Sequence, residues 1–287
     1  MQNSDKKEMP EKNLKRYYIV KEHPIRIISK CKSHSQGTLG SYLIGFCLLY
    51  AVINWVPQVL SLFFPTTNLD LMAAYMDADP ALLSRLPATP LVMIIYMLLF
   101  NGAFKMSECL YALTYIRNRK VDYRALSESL PFFFKTLRLY LLQTVLILLW
   151  TMLFIIPGIL AIFNYSQSFY ILADDPDKSV TQVLIESKMM MYGNRMNYFR
   201  LIVCYLPYYL IGYLPALLLA SAAASFEGNT YAVLLISMIS DIPMFVVYGF
   251  VSLGRTVFYE LMINKGFAYF KYAGQQAFRE LENPEQF

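Results

Sequence analysis

A small set of ionisable residues falls inside long apolar runs, where a charge is costly and is kept for pairing, for lining a path or for chemistry. Asp241 lies about ten residues into the run that begins at Tyr231, near mid-depth at ~1.5 Å per residue, and is the best candidate. Lys105 and Glu108 sit in the later half of Leu91–Ile116. They are three residues apart, so they share a helix face and are spaced to pair with each other. Arg255 and Glu260 come late in Tyr231–Ile263, at the expected membrane boundary, where a long Arg side chain can reach the polar surface. Asn54, Gln143, Asn164 and Gln167 add uncharged groups able to hydrogen-bond between helices. Three roles are open to this set: packing between helices, lining of a transport path, or acid–base chemistry.

The third role lacks a constellation. No H-E-x-x-H, no G-x-S-x-G and no carboxylate pair with a histidine is present. His23 and His34 both lie in the polar N-terminal region and read as solvated, so neither a metal-dependent site nor a cofactor is expected. Cys31, Cys47, Cys109 and Cys204 are far apart in sequence, which fits neither a disulfide framework nor a zinc ligand set. Asp77 and Asp79 flank Ala78 with no Gly turn or distal Glu after them, unlike a calcium loop.

The elements that must hold these residues follow from composition. The chain is 57% hydrophobic and only 16% charged, with a mean hydropathy of +0.41. A soluble domain is about a quarter charged, so lipid is expected to be the solvent for much of this surface. Cations occur in short blocks between apolar runs, which argues against a nucleic-acid partner. No cleavable signal peptide is evident, because the first apolar run starts only near Gly40.

The pattern is all-α: a polytopic transmembrane helix bundle of about six spans with a cytoplasmic amphipathic helix. Residues 1–39 form a basic N-terminal segment, in which Pro24–Lys32 is either a short surface helix or part of a solvated tail. The membrane domain covers 40–263, with spans at about 40–64, 91–116, 139–156, 159–172, 201–225 and 231–263. Residues 264–287 form a tail. Pro57 should kink the first span, Pro65–Pro90 is a polar loop, and Glu227-Gly228-Asn229 is a turn. From Leu139 to Ala173 there is no charge. One straight helix of that length would be roughly 52 Å, well beyond a ~30 Å hydrocarbon core. Pro157-Gly158 near its middle suggests a tight turn between two short spans; a single long kinked helix is the rival. Ser179 and Gln182 have the spacing of a capping box. Val180, Val183, Leu184, Ser187 and Met191 make one helical stripe, and Gly193 suits a helix C-terminus. The amphipathic helix is therefore 179–192, at the interface.

Orientation follows from Lys and Arg in the short flanking segments. With six spans and both termini in the cytoplasm, all but two of the 25 Lys and Arg lie inside; the others are Lys105, within a span, and Arg85, in an external loop. The Pro-Gly turn then faces outside.

The central stretch Leu148–Gly193, LLWTMLFIIPGILAIFNYSQSFYILADDPDKSVTQVLIESKMMMYG, resembles a family of bacterial integral membrane proteins known only as domain of unknown function nine-seven-five. Ile156-Pro157-Gly158, Tyr165-Ser166, Tyr170 to Asp174 and Glu186-Ser187 carry the resemblance, with Phe258-Tyr259-Glu260-Leu261 near the end. The chain departs at Gly193-Asn194-Arg195-Met196, where the family usually has Gly then His-Lys-Trp. A looser likeness exists to the membrane domain that precedes some glycerophosphodiester phosphodiesterases, whose catalytic barrel has no room here. The resemblance implies a multi-span protein of a bacterial cell membrane, with no activity attached.

Two functions remain in view. The first is a non-enzymatic envelope scaffold, with the bilayer and a membrane or cytoplasmic protein as partners. The alternative is a transporter or permease-like component for a small solute or peptide, suggested by proline-broken spans and intramembrane charges. No phosphate-binding loop is present, so energy coupling would need a partner.

Overall fold

A computed structural model describes residues 19–63, 91–224 and 230–263. The polar loop with Asp70, Asp77, Asp79 and Arg85, the Glu227-Gly228-Asn229 turn, most of the basic N-terminal segment and the C-terminal tail lie outside the described residues.

Among the described residues the regular structure is helical throughout. Helix α1 is Pro24–His34, α2 Leu39–Phe63, α3 Leu91–Asn118, α4 Phe133–Leu153, α5 Ile155–Asn164, α6 Ser168–Asp174, α7 Val180–Met191, α8 Arg195–Ala224 and α9 Thr230–Ile263. Six segments are long and apolar enough to cross a membrane: Leu39–Leu60, Met93–Asn118, Tyr123–Leu153, Ile155–Asp174, Arg195–Leu219 and Tyr231–Ile263. Their outer surfaces are apolar, with Ile155, Ile156, Leu210 and Ile211 each at least 66% exposed. The interior instead holds Glu108, Glu260, Ser187 and Thr256. An apolar outer surface, with the charged groups kept among the apolar and aromatic side chains of the interior, suits a bilayer solvent.

The uncharged central run is a hairpin. Lys135, at the start of α4, donates its ammonium to the carbonyl of Pro176, just past α6, so both ends of the run meet at one end of the bundle. The reversal falls at Phe154, which is extended (φ −157°, ψ 148°), three residues before Pro157-Gly158. Proline explains this position. In a continuous helix the ring of Pro157 would press on the carbonyl of Leu153, four residues back, and α4 ends at Leu153. Pro157 instead occupies the first turn of α5, where backbone N–H groups lack helical partners anyway. Gly158 allows the close approach of the two arms: a Cβ there would stand 2.7 Å from Thr151 Cα.

Helix α7 begins and ends by local chemistry. The Ser179 hydroxyl accepts from Gln182 N, and the Gln182 side chain accepts from Ser179 N at 3.0 Å, a complete capping box. Val183, Leu184 and Ser187 are buried against the α4–α6 hairpin, and Ile185 and Met189 face outward. Gly193 follows with φ +83°, a conformation that L side chains rarely adopt. Asn194 is next and is buried. Its Oδ1 accepts from Val20 N at 2.8 Å and its amide donates to Met190 O, so the N-terminal segment is tied to the end of α7.

Helix α1 is not part of a solvated tail. It packs on α8 and α9 with Ile27 and Cys31 buried, and burial pushes the Cys31 thiol up to about 12. The two histidines part company. His23 is exposed at the start of α1, whereas His34 is half-buried with its ring edge-on to Tyr115 at 6.1 Å. Burial of a residue expected to be solvated follows from α1 folding back onto the bundle.

Candidate functional site

Helix α3 sets Lys105, Glu108 and Cys109 on one face by their i, i+3, i+4 spacing, and that face borders a cavity of ≈ 250 Å³. Helix α8 contributes Tyr198, Tyr205 and Tyr209 from a second stripe, and α9 contributes Arg255. The hairpin closes the remaining side with Gln143 from α4, Phe163 from α5 and Ser166 from the turn after it. At ~1.5 Å per residue, Arg255 lies about 12 Å along α9 from Ile263, which places the cavity in the half of the bundle nearer its basic end.

Glu108 and Arg255 form an ion pair across α3 and α9, Oε1 to Nη1 3.7 Å. Arg255 Nε donates to the Tyr198 hydroxyl at 3.1 Å, and the Tyr50 hydroxyl donates to Glu108 Oε2 at 3.3 Å. Lys105 does not pair with Glu108. It is exposed to the cavity and makes no hydrogen bond or ion pair among the described residues. The hydroxyl of the fully buried Tyr205 and the Oε1 of Gln143 are packed away from the cavity and lack hydrogen-bond partners among the described residues. The cavity thus presents two cations against one carboxylate, with aromatic walls.

A second cluster closes the basic end. Arg117, at the end of α3, bonds Asp174 Oδ1 at 2.6 Å and Glu260 Oε1 at 2.6 Å, joining α3, α6 and α9. The Tyr259 hydroxyl donates to Asp174 Oδ2 at 3.1 Å. Glu260 is fully buried, so Arg117 supplies the counter-charge that its ionised form needs. Lys178 bonds Glu186 at 2.7 Å beside this cluster.

The other sequence candidates lie apart. Asp241 accepts from Gln58 Nε2 at 3.2 Å, while Gln58 Oε1 accepts from Ser237, a polar contact between α2 and α9. Asp241 is about 21 Å along α9 from Arg255 at ~1.5 Å per residue. Asn164 ends α5. Its carbonyl accepts from Ser187 Oγ at 2.7 Å, and its side-chain Oδ1 is buried without a hydrogen-bond partner among the described residues. The structure therefore joins Lys105, Glu108 and Arg255 at one cavity, puts Glu260 in a separate ion cluster, and leaves Asp241 and Asn164 outside both. Pro157, Gly158, Ser179 and Gly193 serve the hairpin and α7. Sequence reasoning gave no special place to Tyr198, Tyr205 or Arg117. The i, i+7, i+11 spacing of Tyr198, Tyr205 and Tyr209 along an apolar helix was the signal for the first two.

These features define a polytopic helical membrane protein with a charged internal cavity. The family described as "Protein of unknown function (DUF975)" matches residues 153–266, which run from the end of α4 to just past α9. It is the family that the central stretch resembles. Tyr198, Tyr205 and Arg255 lie within the matched part, and Lys105 and Glu108 before it. No curated protein and no solved structure matches the chain, so the looser likeness to the phosphodiesterase membrane domain has no counterpart.

Proposed function

We propose that this protein is a permease-like component of a bacterial cytoplasmic membrane that takes a small solute into its helix bundle without covalent chemistry. The observation that carries this reading is Lys105. Polar groups that merely hold helices together satisfy one another, as Gln58 and Asp241 do. An ammonium that faces a cavity with no hydrogen bond or ion pair among the described residues is costly in a membrane unless water or a ligand meets it. Both termini are proposed to face the cytoplasm, supported by the convergence of the basic segments around Arg117, Lys135 and Lys178 at one end.

The test is access. In a variant with Cys31, Cys47, Cys109 and Cys204 replaced, Ser166→Cys should react with a membrane-impermeant thiol reagent from the cytoplasmic side and be protected from the other. Absence of reaction from both sides, with an exposed Asp177→Cys control reacting, removes the solute-binding reading.

A scaffolding role has one specific support. The outer face of α7 exposes Ile185 (59%) and Met189 (49%) beside Lys188, an apolar strip with a charged edge that suits a partner protein. Co-purifying proteins that are lost on Ile185→Glu with Met189→Glu would favour it.

A further inference from the structure

We infer that the cavity holds the head of a singly charged anionic amphiphile, with its negative group between Lys105 and Arg255 and its apolar part leaving the bundle between α5 and α8. The inference rests on the solute-binding reading and names the class of solute. Charge is the first argument. Lys105 and Arg255 face one carboxylate, Glu108, so the cluster is short of one negative charge. Arg255 is already held by Glu108 and by the Tyr198 hydroxyl, which fixes its guanidinium at the cavity wall. Lys105 is the cation left to neutralise.

The mouth is the second argument. Ile162 of α5 and Ile202 of α8 line the cavity, yet they are 50% and 38% exposed on the apolar outer surface of the bundle. One rim of the cavity is therefore the surface that meets lipid, not an aqueous vestibule. The volume of ≈ 250 Å³ lies below the ~300–1,000 Å³ of sites that enclose a whole drug-sized ligand. It admits a head group and leaves a chain outside. Basic pockets between membrane helices are a recognised way of holding anionic lipid heads. A carboxylate and a phosphate diester both fit this description, and each occurs on lipids and on water-soluble molecules; the lateral mouth favours the lipid.

The experiment uses the full-length protein in nanodiscs of phosphatidylcholine. Oleate or phosphatidylglycerol is titrated in, and retention of the added lipid is read by native mass spectrometry. Water-soluble acetate and glycerol phosphate serve as competitors. The expected result is preferential retention of the anionic lipids over phosphatidylcholine. Lys105→Gln should weaken retention about tenfold, the loss of one charge-assisted contact, and Lys105→Arg should restore it. Lys105 makes no hydrogen bond or ion pair among the described residues, so Lys105→Gln removes none of those contacts and should fold. Equal retention of anionic and zwitterionic lipid, or retention unchanged by Lys105→Gln, overturns the inference. Competition by glycerol phosphate as strong as that by phosphatidylglycerol overturns the lipid source. Thiol access at Ser166→Cys, measured separately, shows whether the solute-binding reading falls with it.

Discussion

Arg117 and Glu260 are 143 positions apart in the chain, and their side chains meet at 2.6 Å. The same guanidinium holds Asp174, so one cation ties the end of α3 to α6 and α9. Removing Arg117 leaves two carboxylates, one of them fully buried, without this counter-charge. Breaking a buried pair by removing one partner costs roughly 3–5 kcal/mol. The Arg117 side chain is 31% exposed, so solvent screens part of the pair and about 2–3 kcal/mol is expected. Arg117→Ala should lower the detergent-solubilised melting temperature more than Asp174→Asn. Arg117→Met combined with Glu260→Leu should be milder than Arg117→Ala alone, since the fully buried carboxylate is no longer left without a counter-charge and only Asp174 remains. A double variant worse than the single one would rule out this account.

Gly158 and Pro157 adjoin in sequence, but their replacements should differ. Gly158→Ala places a methyl against the Cα of Thr151, which no side-chain rotation relieves. The hairpin must open, at about 1–3 kcal/mol, the usual range for overpacking. Pro157→Ala adds an N–H in the first turn of α5, where no helical acceptor exists, and should change stability little. Equilibrium unfolding in mixed micelles compares the two. Equal losses would mean that the proline itself, not the close crossing, maintains the reversal.

The spans and α7 are legible in the sequence because their causes are local. Charge-free length defines a span, and Ser179, Gln182 and Gly193 define a helix start and stop without help from distant residues. The reversal is legible only to within three residues, since Pro157 announces a break but acts through Leu153, four positions earlier. The cavity is not legible. Spacing on α3 suggests that Glu108 serves Lys105, whereas the approach of α9 gives Glu108 to Arg255. Tyr198 draws no attention in the sequence and Arg117 reads as a flanking cation until tertiary packing supplies their partners. The fate of α1 is hidden for the same reason: Ile27 and Cys31 look like one face of a surface helix until α8 and α9 are there to cover them.

Asn194 serves both ends of a junction. Its side chain accepts from Val20 N and donates to Met190 O, while Asn197 donates to Val20 O at 2.7 Å. Asn194→Ala leaves the buried Val20 N–H without its acceptor, a loss of about 1–3 kcal/mol. The effect should be local. Amide hydrogen exchange should speed at residues 19–21 and at the end of α7, with α2 and α3 unchanged. Uniform acceleration across all helices would show that the junction supports the whole bundle.

His34 makes the same end of the molecule sensitive to acid. Burial pushes its imidazole below the usual 6.5, and the positive charge of Arg119 pushes it the same way; hydrogen bonds with the Tyr115 and Ile116 backbone oppose the shift. A base with a lowered folded value binds its proton more readily in the unfolded chain, so stability rises with pH across the gap between the two values. The contribution of neutral His34 is therefore complete above about pH 6.5, the unfolded value, and is lost as pH falls toward the folded one. Protonation should loosen α1 first, because the ring stands edge-on to Tyr115 and an imidazolium there faces Arg119. Limited proteolysis between Gly37 and Gly40 should accelerate between pH 6.5 and 5 in the native protein and stay flat in His34→Gln. Acceleration of equal size in His34→Gln would assign the acid sensitivity to another group, and α1 would then be held by its apolar face alone.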